Sequence, residues 1–140
     1  MEINTSTVPG SSTVAILDLK GELDASNYLD VIERVRQLYR DGVRQLVINL
    51  SDVSFLSSSG LVALHSSALV MRGDEPPSPE LGWSAFHAIA SDVEGENFEQ
   101  CCTLANPQGR VRKSLEMTGF SNFLRVFDDT DSAVEFFTAA

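Results

Sequence analysis

Six residues, Gln45–Leu50, constrain what this chain can fold into more than any other segment does. The segment is apolar on both faces of an extended chain, which is typical of a strand in the centre of a parallel sheet. It follows Asn27–Asp41, where apolar residues recur at helical spacing and charged residues take the other side. Gly42 then ends the helix, as glycine after a last turn usually does. A helix that leads into a buried strand predicts an α/β domain.

The rest of the chain continues this alternation of strand and helix patterns. The predicted elements are a strand from Val14 to Gly21, a helix capped by Ser58 or Ser59, a strand from Phe98 to Leu104, a helix capped by Asn106 with Pro107 in its first turn and ending near Met117, a strand from Leu124 to Phe127, and a helix from Thr130. The helix over Asn27–Asp41 is predicted to bury Leu29, Ile32, Val35, Leu38 and Tyr39. The fold class is therefore α/β, with one mixed, mostly buried sheet of about four to five strands and four helices.

The length of 140 residues suits one domain, which we assign to residues 1–140 with an insertion at about 72–100. The insertion carries seven acidic residues against one basic residue, and it includes three prolines in four residues, which rule out a helix there. Four apolar residues after the prolines recur at helical spacing: Trp83, Phe86, Ile89 and Ala90. We expect an ordered insertion whose aromatic residues pack on the domain, while Asp74 and Glu75 stay in solvent.

The composition argues against several classes of function. Ten Lys and Arg residues against 20 Asp and Glu residues leave a net charge of −10, which disfavours binding to nucleic acid or to an anionic membrane surface. No apolar stretch approaches the ~20 residues of a membrane span, and the N-terminus shows no export signal, so we expect a cytoplasmic protein. Cys101 and Cys102 are adjacent, which predicts reduced thiols rather than a disulfide. The histidine and cysteine spacing predicts neither a metal nor a cofactor.

Four segments, taken in order, resemble the STAS domain of the bacterial anti-sigma factor antagonists. They are Gly21–Asp24 with the sequence Gly-Glu-Leu-Asp, the amphipathic helix after it, Leu46–Leu61, and Leu115–Phe120. The resemblance covers the chain except for residues 72–100. It implies a protein-binding switch without enzymatic activity, which sequesters an anti-sigma factor, of the serine-kinase type, and so frees a sigma factor. A homodimer is left open.

The resemblance also implies the site. In this family an Asp-Ser-Ser-Gly or Asp-Ser-Thr-Gly turn begins a helix, and the partner kinase phosphorylates the hydroxyl directly after the Asp. That hydroxyl corresponds to Ser58, but Ser57 stands where the family has Asp. Ser57 and Ser59 are therefore alternative acceptors, and an unregulated binder is a third reading. The predicted partner surface consists of Asp24, Ala25, Ser26, Phe55, Leu56, Ser57, Ser58, Ser59, Gly60, Leu61 and Val62.

The sequence offers two other classes of function, an enzyme with a serine nucleophile and a ligand-sensing or scaffold module. A Ser58–His65 nucleophile pair is disfavoured, because seven residues along a helix separate the two by ~10 Å and no Gly-x-Ser-x-Gly turn is present. His65 is expected on the helix surface or at the edge of the core. The runner-up function is a ligand- or nucleotide-sensing STAS module, or a scaffold subunit of a signalling complex, without phosphorylation. Its candidate pocket residues are Tyr39, Trp83, Phe86 and Phe98, although such aromatics more often belong to the core.

Overall fold

A computed structural model describes residues 1–74, 89, 91–92 and 98–138. Within these ranges the chain forms five strands and four helices. The elements are β1 (Glu2–Thr7), β2 (Val14–Leu23), α1 (Tyr28–Arg40), β3 (Gln45–Leu56), α2 (Ser58–Met71), β4 (Cys102–Ala105), α3 (Gly109–Met117), a 3-10 turn at Phe120–Asn122, β5 (Arg125–Phe127) and α4 (Thr130–Thr138).

The five strands form one mixed sheet in the order β1-β2-β3-β4-β5. β1 runs antiparallel to β2, and the remaining neighbours are parallel. The central strand β3 is the apolar segment that the sequence places in the middle of the sheet, and it pairs with β2 along most of its length. The predicted α/β fold class, with its mixed sheet and its four helices, is confirmed.

Helices pack on both faces of the sheet, which explains why β3 is apolar on both sides. Leu46 and Ile48 of β3 belong to the main core, together with residues of α1, α2 and α3. Val47, which points the other way, packs with Ala105 and with Ala133 of α4 in a second, smaller cluster. The alternation of neighbouring residues between two cores is what a strand with helices on both faces requires.

The structure corrects several predicted element boundaries. The predicted strand Gln45–Leu50 continues to Leu56 as β3, so that only Ser57 separates it from α2. The expected strand from Phe98 begins only at Cys102. β1 was not predicted at all, because its sequence alternates weakly and its residues are mostly exposed.

Two predictions about helices are wrong in detail. The N-cap of α3 is Gln108 rather than Asn106, because the Asn106 N–H donates to the Phe127 carbonyl at 2.8 Å and so still belongs to the sheet. Asn106 adopts a φ of 61°, in the left-handed region that asparagine tolerates better than most residues. In α1, Leu29 is exposed and Val31 takes its place in the core.

Part of the expected insertion can be compared with the structure. Ile89 is buried in the main core, and Asp74 is exposed as predicted. Trp83, Phe86, Ala90 and Glu75 lie outside the described residues. In the described part of the chain, no helix combines the length and the apolar composition that crossing a bilayer demands.

Both thiols are free. Cys102 is buried in β4 and Cys101, just before it, is half-buried. Burial raises the pKa of each thiol, and the nearby Glu99 carboxylate raises it further. The two cysteines are therefore neutral, unreactive parts of the packing at neutral pH.

Candidate functional site

Two segments of the predicted site meet where β2 and β3 end. Leu23, the last residue of β2, pairs with Leu56, the last residue of β3. One residue further on, the Ser57 N–H donates to the Leu23 carbonyl at 3.0 Å. The loop that starts at Asp24 and the helix that starts at Ser58 therefore leave the sheet side by side.

Ser57 is the N-cap of α2. Its backbone is extended, and its hydroxyl accepts a hydrogen bond from the Gly60 N–H at 3.2 Å. The predicted cap at Ser58 or Ser59 is wrong by one or two residues, because the hydrogen bond from Ser57 to Leu23 sets where the helix begins. The residue that replaces the family's Asp thus keeps a side-chain oxygen at the cap and lacks the negative charge.

Ser58 is the first helical residue, and it is exposed. Its hydroxyl has no hydrogen-bond partner among the residues that the structure describes. The backbone N–H groups of Ser58 and Ser59 also lack an acceptor there, because the first intrahelical bond runs from Leu61 to Ser57. A phosphate on Ser58 would therefore stand at the positive end of the α2 dipole, beside free N–H donors.

Gly60 lets β2 approach the start of α2. A β-carbon at this position would lie 2.7 Å from the Leu23 carbonyl oxygen and 2.7 Å from Leu56 Cδ1. Any larger residue would push α2 away from the ends of β2 and β3. The glycine of the Ser-Ser-Ser-Gly run therefore fixes the distance between the helix and the Asp24 loop.

Asp24 holds together the loop that follows β2. Its Oδ1 accepts hydrogen bonds from the Ser26 N–H at 2.9 Å and from the Ser26 hydroxyl at 2.5 Å. Its own N–H donates to Asn27 Oδ1 at 3.0 Å, and Asn27 in turn donates to the Glu22 carbonyl. The two bonds from Ser26 lower the pKa of the Asp24 carboxyl. The loop therefore presents a fixed negative charge beside the start of α2.

The remaining residues of the predicted surface differ in accessibility. Ala25 and Ser26 are exposed, and Phe55 is 41% exposed at the end of β3. Leu61 and Val62 are half-buried against the core, while Leu56 and Gly60 are buried and offer no contact area. The accessible part of the predicted partner surface is therefore smaller than the full set of predicted residues.

The structure adds Leu29 to the neighbourhood of this surface. Leu29 lies in the first turn of α1, directly after the Asp24 loop, and is 47% exposed. The sequence analysis assigned it to the core because it shares the helical spacing of Ile32. Helical periodicity alone could not show that this first-turn leucine is exposed, and an exposed leucine beside other accessible residues is a candidate contact residue.

His65 does not face Ser58. It is 1% exposed within α2, where its ring centre lies 5.6 Å from that of Phe123, so of the two expected positions, the helix surface and the edge of the core, the surface position is wrong. Its Nε2 lies 2.6 Å from Asp92 Oδ2. Desolvation lowers the pKa of His65, and the hydrogen bond to Asp92 only partly offsets it. Ser58 and His65 therefore do not form a nucleophile–base pair.

Two of the four candidate pocket aromatics, Tyr39 and Phe98, lie in the described part of the chain, and they have different neighbours. Tyr39 lies under the Arg44 guanidinium, whose carbon is 3.8 Å from the ring centre. Phe98 instead lines a cavity beside Arg125 that does not include Tyr39. Trp83 and Phe86 lie outside the described residues. Among the described residues, no group of three or more His, Cys, Asp or Glu side chains is placed to hold a metal ion.

Comparison with known proteins adds evidence on the family. Residues 5–69 match the family model of the STAS domain. A search of curated proteins gave no match. Solved structures resemble this one along nearly its whole length, although their sequences are less than 20% identical to it.

Three of these structures illustrate the likeness. The anti-sigma factor antagonist SpoIIAA in its unphosphorylated form is 17% identical, with a TM-score of 0.65 over 99% of this chain and 98% of that one. An anti-sigma factor antagonist from Mycobacterium paratuberculosis is 19% identical, with a TM-score of 0.66 over 95% and 90%. The Bacillus cell fate determinant SpoIIAA in its phosphorylated form is 16% identical, with a TM-score of 0.56 over 96% and 98%. The resemblance to the STAS domain is thereby confirmed, in sequence over residues 5–69 and in fold over nearly the whole chain.

Proposed function

We propose that this protein is an anti-sigma factor antagonist, which binds an anti-sigma factor and so frees a sigma factor in the cytoplasm. The observation that carries the proposal is the exposed Ser58 hydroxyl at the start of α2, beside the Asp24 loop. The fold shared with solved anti-sigma factor antagonists supports the same role.

The proposed contact surface surrounds Ser58. Phe55 is its best anchor, because a partly exposed aromatic ring next to polar loop residues is typical of the centre of a protein interface. Ala25 and Ser26 supply accessible loop positions, and Leu29 extends the apolar area onto α1. Leu56 and Gly60 act from beneath, by holding the start of α2 against the end of β2.

Phosphorylation of Ser58 is the proposed switch. A phosphoryl group adds about −1.5 to −2 charges at neutral pH, which the N-terminus of α2 tolerates but which a tightly packed partner would have to desolvate. Binding would therefore fall while the fold stays intact. Ser57 caps the helix as an Asp at this position would, but it lacks the negative charge of an Asp. We therefore expect the replacement to affect recognition by the kinase more than the geometry of the turn.

The contact surface is tested by hydrogen exchange of the backbone amides with and without the anti-sigma factor co-purified from native cells. We expect protection at Ala25, Ser26, Phe55 and the first turn of α2. Protection confined to α4, on the other face of the sheet, would contradict the proposed surface.

The switch is tested by phosphopeptide mapping after incubation with the partner kinase and ATP. We expect modification at Ser58, and a faster rate in Ser57→Asp, which restores the family's carboxylate while preserving a capping oxygen. Modification at Ser57 or Ser59 would move the acceptor by one position. No modification in either the wild-type chain or Ser57→Asp would leave an unregulated binder.

A further inference from the structure

We infer that the groove between α3 and β5 is a binding site for a small organic phosphate, with Arg125 as its main ligand-binding residue. The groove has a volume of about 410 Å³ and is lined by Phe98, Arg112, Ser121, Arg125, Val126 and Phe127. It involves none of the residues of the proposed Ser58 surface.

Arg125 is a cation without a hydrogen-bond acceptor in the part of the chain that the structure describes. Its guanidinium contacts two aromatic rings, with its central carbon 4.7 Å from the centre of Phe98 and 4.8 Å from that of Phe136. Its Nε is enclosed and makes no hydrogen bond, and no carboxylate pairs with the side chain among the described residues. Stacking satisfies the two faces of a guanidinium and leaves its edge, which carries the N–H donors, for another group.

Other half-exposed arginines of this chain are already paired. Arg72 bonds to Asp74 at 2.7 Å and to Glu99 at 3.3 Å. Arg44 donates to the carbonyls of Tyr39 and Val43. Arg125 thus differs in being packed against two rings while its N–H donors have no acceptor among the described residues, and a guanidinium with free N–H donors can bind planar or tetrahedral oxyanions.

A second arginine lies at the same groove. Arg112 bonds to Asp128 at 3.0 Å, but the Asp128 side chain is 90% exposed, so solvent screens that pair and it contributes little. Arg112 can therefore share its charge with a ligand, although the Asp128 carboxylate opposes an anion at that side. The Ser121 side chain adds a hydroxyl donor to the lining.

The local charge also favours an anion. Residues 106–129 contain four basic and three acidic residues, a net charge of +1 in a chain whose total is −10. The basic residues are Arg110, Arg112, Lys113 and Arg125, and the acidic ones are Glu116, Asp128 and Asp129. The aromatic lining from Phe98 and Phe127 suits a flat apolar group attached to the anion. The ligand class is therefore an aromatic phosphate monoester.

Phenyl phosphate is the probe for this site, in an NMR titration of the full-length protein. We expect saturable shifts of the amides of Ser121, Arg125, Val126 and Phe127, and weaker binding of inorganic phosphate or phenol alone. Arg125→Gln should weaken binding about tenfold or more, as the loss of a charge-assisted bidentate contact predicts. Arg112→Gln should weaken it less.

Arg40→Gln is the matched control, because Arg40 pairs with Glu33 on the exposed side of α1, away from the groove. Its affinity should equal that of the wild-type chain. Unsaturable shifts, shifts spread over the surface, or equal affinity in Arg125→Gln would overturn the inference. If Arg125→Gln has lost its native spectrum, Arg112→Gln and Ser121→Ala decide the matter, since unchanged affinity in both would overturn it as well.

Discussion

Gly60 lies where the end of β2 passes closest to the start of α2. Replacing it with alanine would place a β-carbon 2.7 Å from the Leu23 carbonyl oxygen, a backbone atom that cannot turn aside. We expect Gly60→Ala to lower the free energy of unfolding by about 1–3 kcal/mol. Gly109→Ala is the matched control, because nothing lies within 4 Å of its β-carbon and alanine favours the helix. Urea denaturation of both variants checks this, and equal stabilities would contradict it.

The serine run offers a second comparison between neighbours. Ser57→Ala removes the cap on the Gly60 N–H and should cost about 1 kcal/mol, whereas Ser58→Ala removes a hydroxyl without a partner and should cost almost nothing. Ser57→Asp should be as stable as the wild-type chain or slightly more stable, because a carboxylate also caps and complements the helix dipole. Thermal unfolding measures all three, and a reversed order of Ser57→Ala and Ser58→Ala would show that the helix begins at a different serine.

These serines also show what the sequence could not resolve at the scale of one residue. The run after β3 indicated a capped helix start, and the observed start lies within this run, but its cap is Ser57 rather than Ser58 or Ser59. Three consecutive serines have the same capping chemistry, so local preference could not choose among them. The choice depends on the bond from Ser57 to Leu23, a residue 34 positions earlier in the sequence. Asp24 and Ser58 could be placed together only through the family resemblance.

Among the elements, α2 is tied to the chain beyond it by a network of charged side chains. His65 bonds to Asp92, and Arg72, directly after α2, bonds to Glu99. Glu99 is 5% exposed, and its other oxygen accepts from the N–H groups of Gln100 and Cys101. The network therefore links the end of α2 to the chain that enters β4. The sequence showed an acidic insertion, but a single buried histidine gave no sign of its partner.

This network predicts a pH dependence of stability. Burial lowers the pKa of His65 in the folded chain below the ordinary histidine value of about 6.5, so the unfolded chain binds the proton more readily. The contribution of neutral His65 is complete above pH 6.5 and is lost as the pH falls from there toward the lowered pKa. Urea denaturation between pH 7.5 and 5.5 should therefore show falling stability, with a flatter profile in His65→Gln. Parallel profiles would contradict this assignment.

The predicted boundaries of an element agree with the observed ones where a single local sequence signal determines them. α1 has a regular apolar stripe and a glycine after its last turn, and its observed limits lie within one residue of those expected. β1 was not predicted because its pairing with β2, the next strand in the chain, depends on backbone hydrogen bonds rather than on its own weakly alternating side chains. The cap of α3 was predicted at the wrong residue, because the hydrogen bond from Asn106 to the end of β5 outweighs the preference of asparagine for a helix start.

For the whole molecule, the segment over residues 72–100 should contribute to stability without being required for folding. Ile89 is buried in the main core, and both Arg72 and Glu99 belong to the charged network. Replacing the segment with a short Gly-Ser linker should therefore lower the melting temperature by several degrees while leaving a cooperative transition. Ile89→Ala should give part of that loss. A melting temperature equal to that of the full chain would show that the segment does not pack on the domain.

The proposed switch requires that a negative charge at Ser58 weakens binding to the anti-sigma factor without lowering the stability of the fold. Thr7→Asp provides the matched control, because Thr7 pairs with Ala15 near the start of β2, about 25 Å along the strand from the end that contacts Ser57. Both variants add one negative charge at an exposed position. Only Ser58→Asp adds it at the proposed contact surface.

Calorimetric titration of the anti-sigma factor into the wild-type chain, Ser58→Asp, Ser58→Ala and Thr7→Asp tests this most directly, together with the melting temperature of each. We predict that Ser58→Asp weakens binding about tenfold or more, because its charge must be desolvated at the interface, and that the melting temperature stays nearly unchanged. Ser58→Ala and Thr7→Asp should bind as the wild-type chain does. Equal affinity of all four proteins, or a loss of binding in Ser58→Asp that is matched by a loss of stability, would contradict the account.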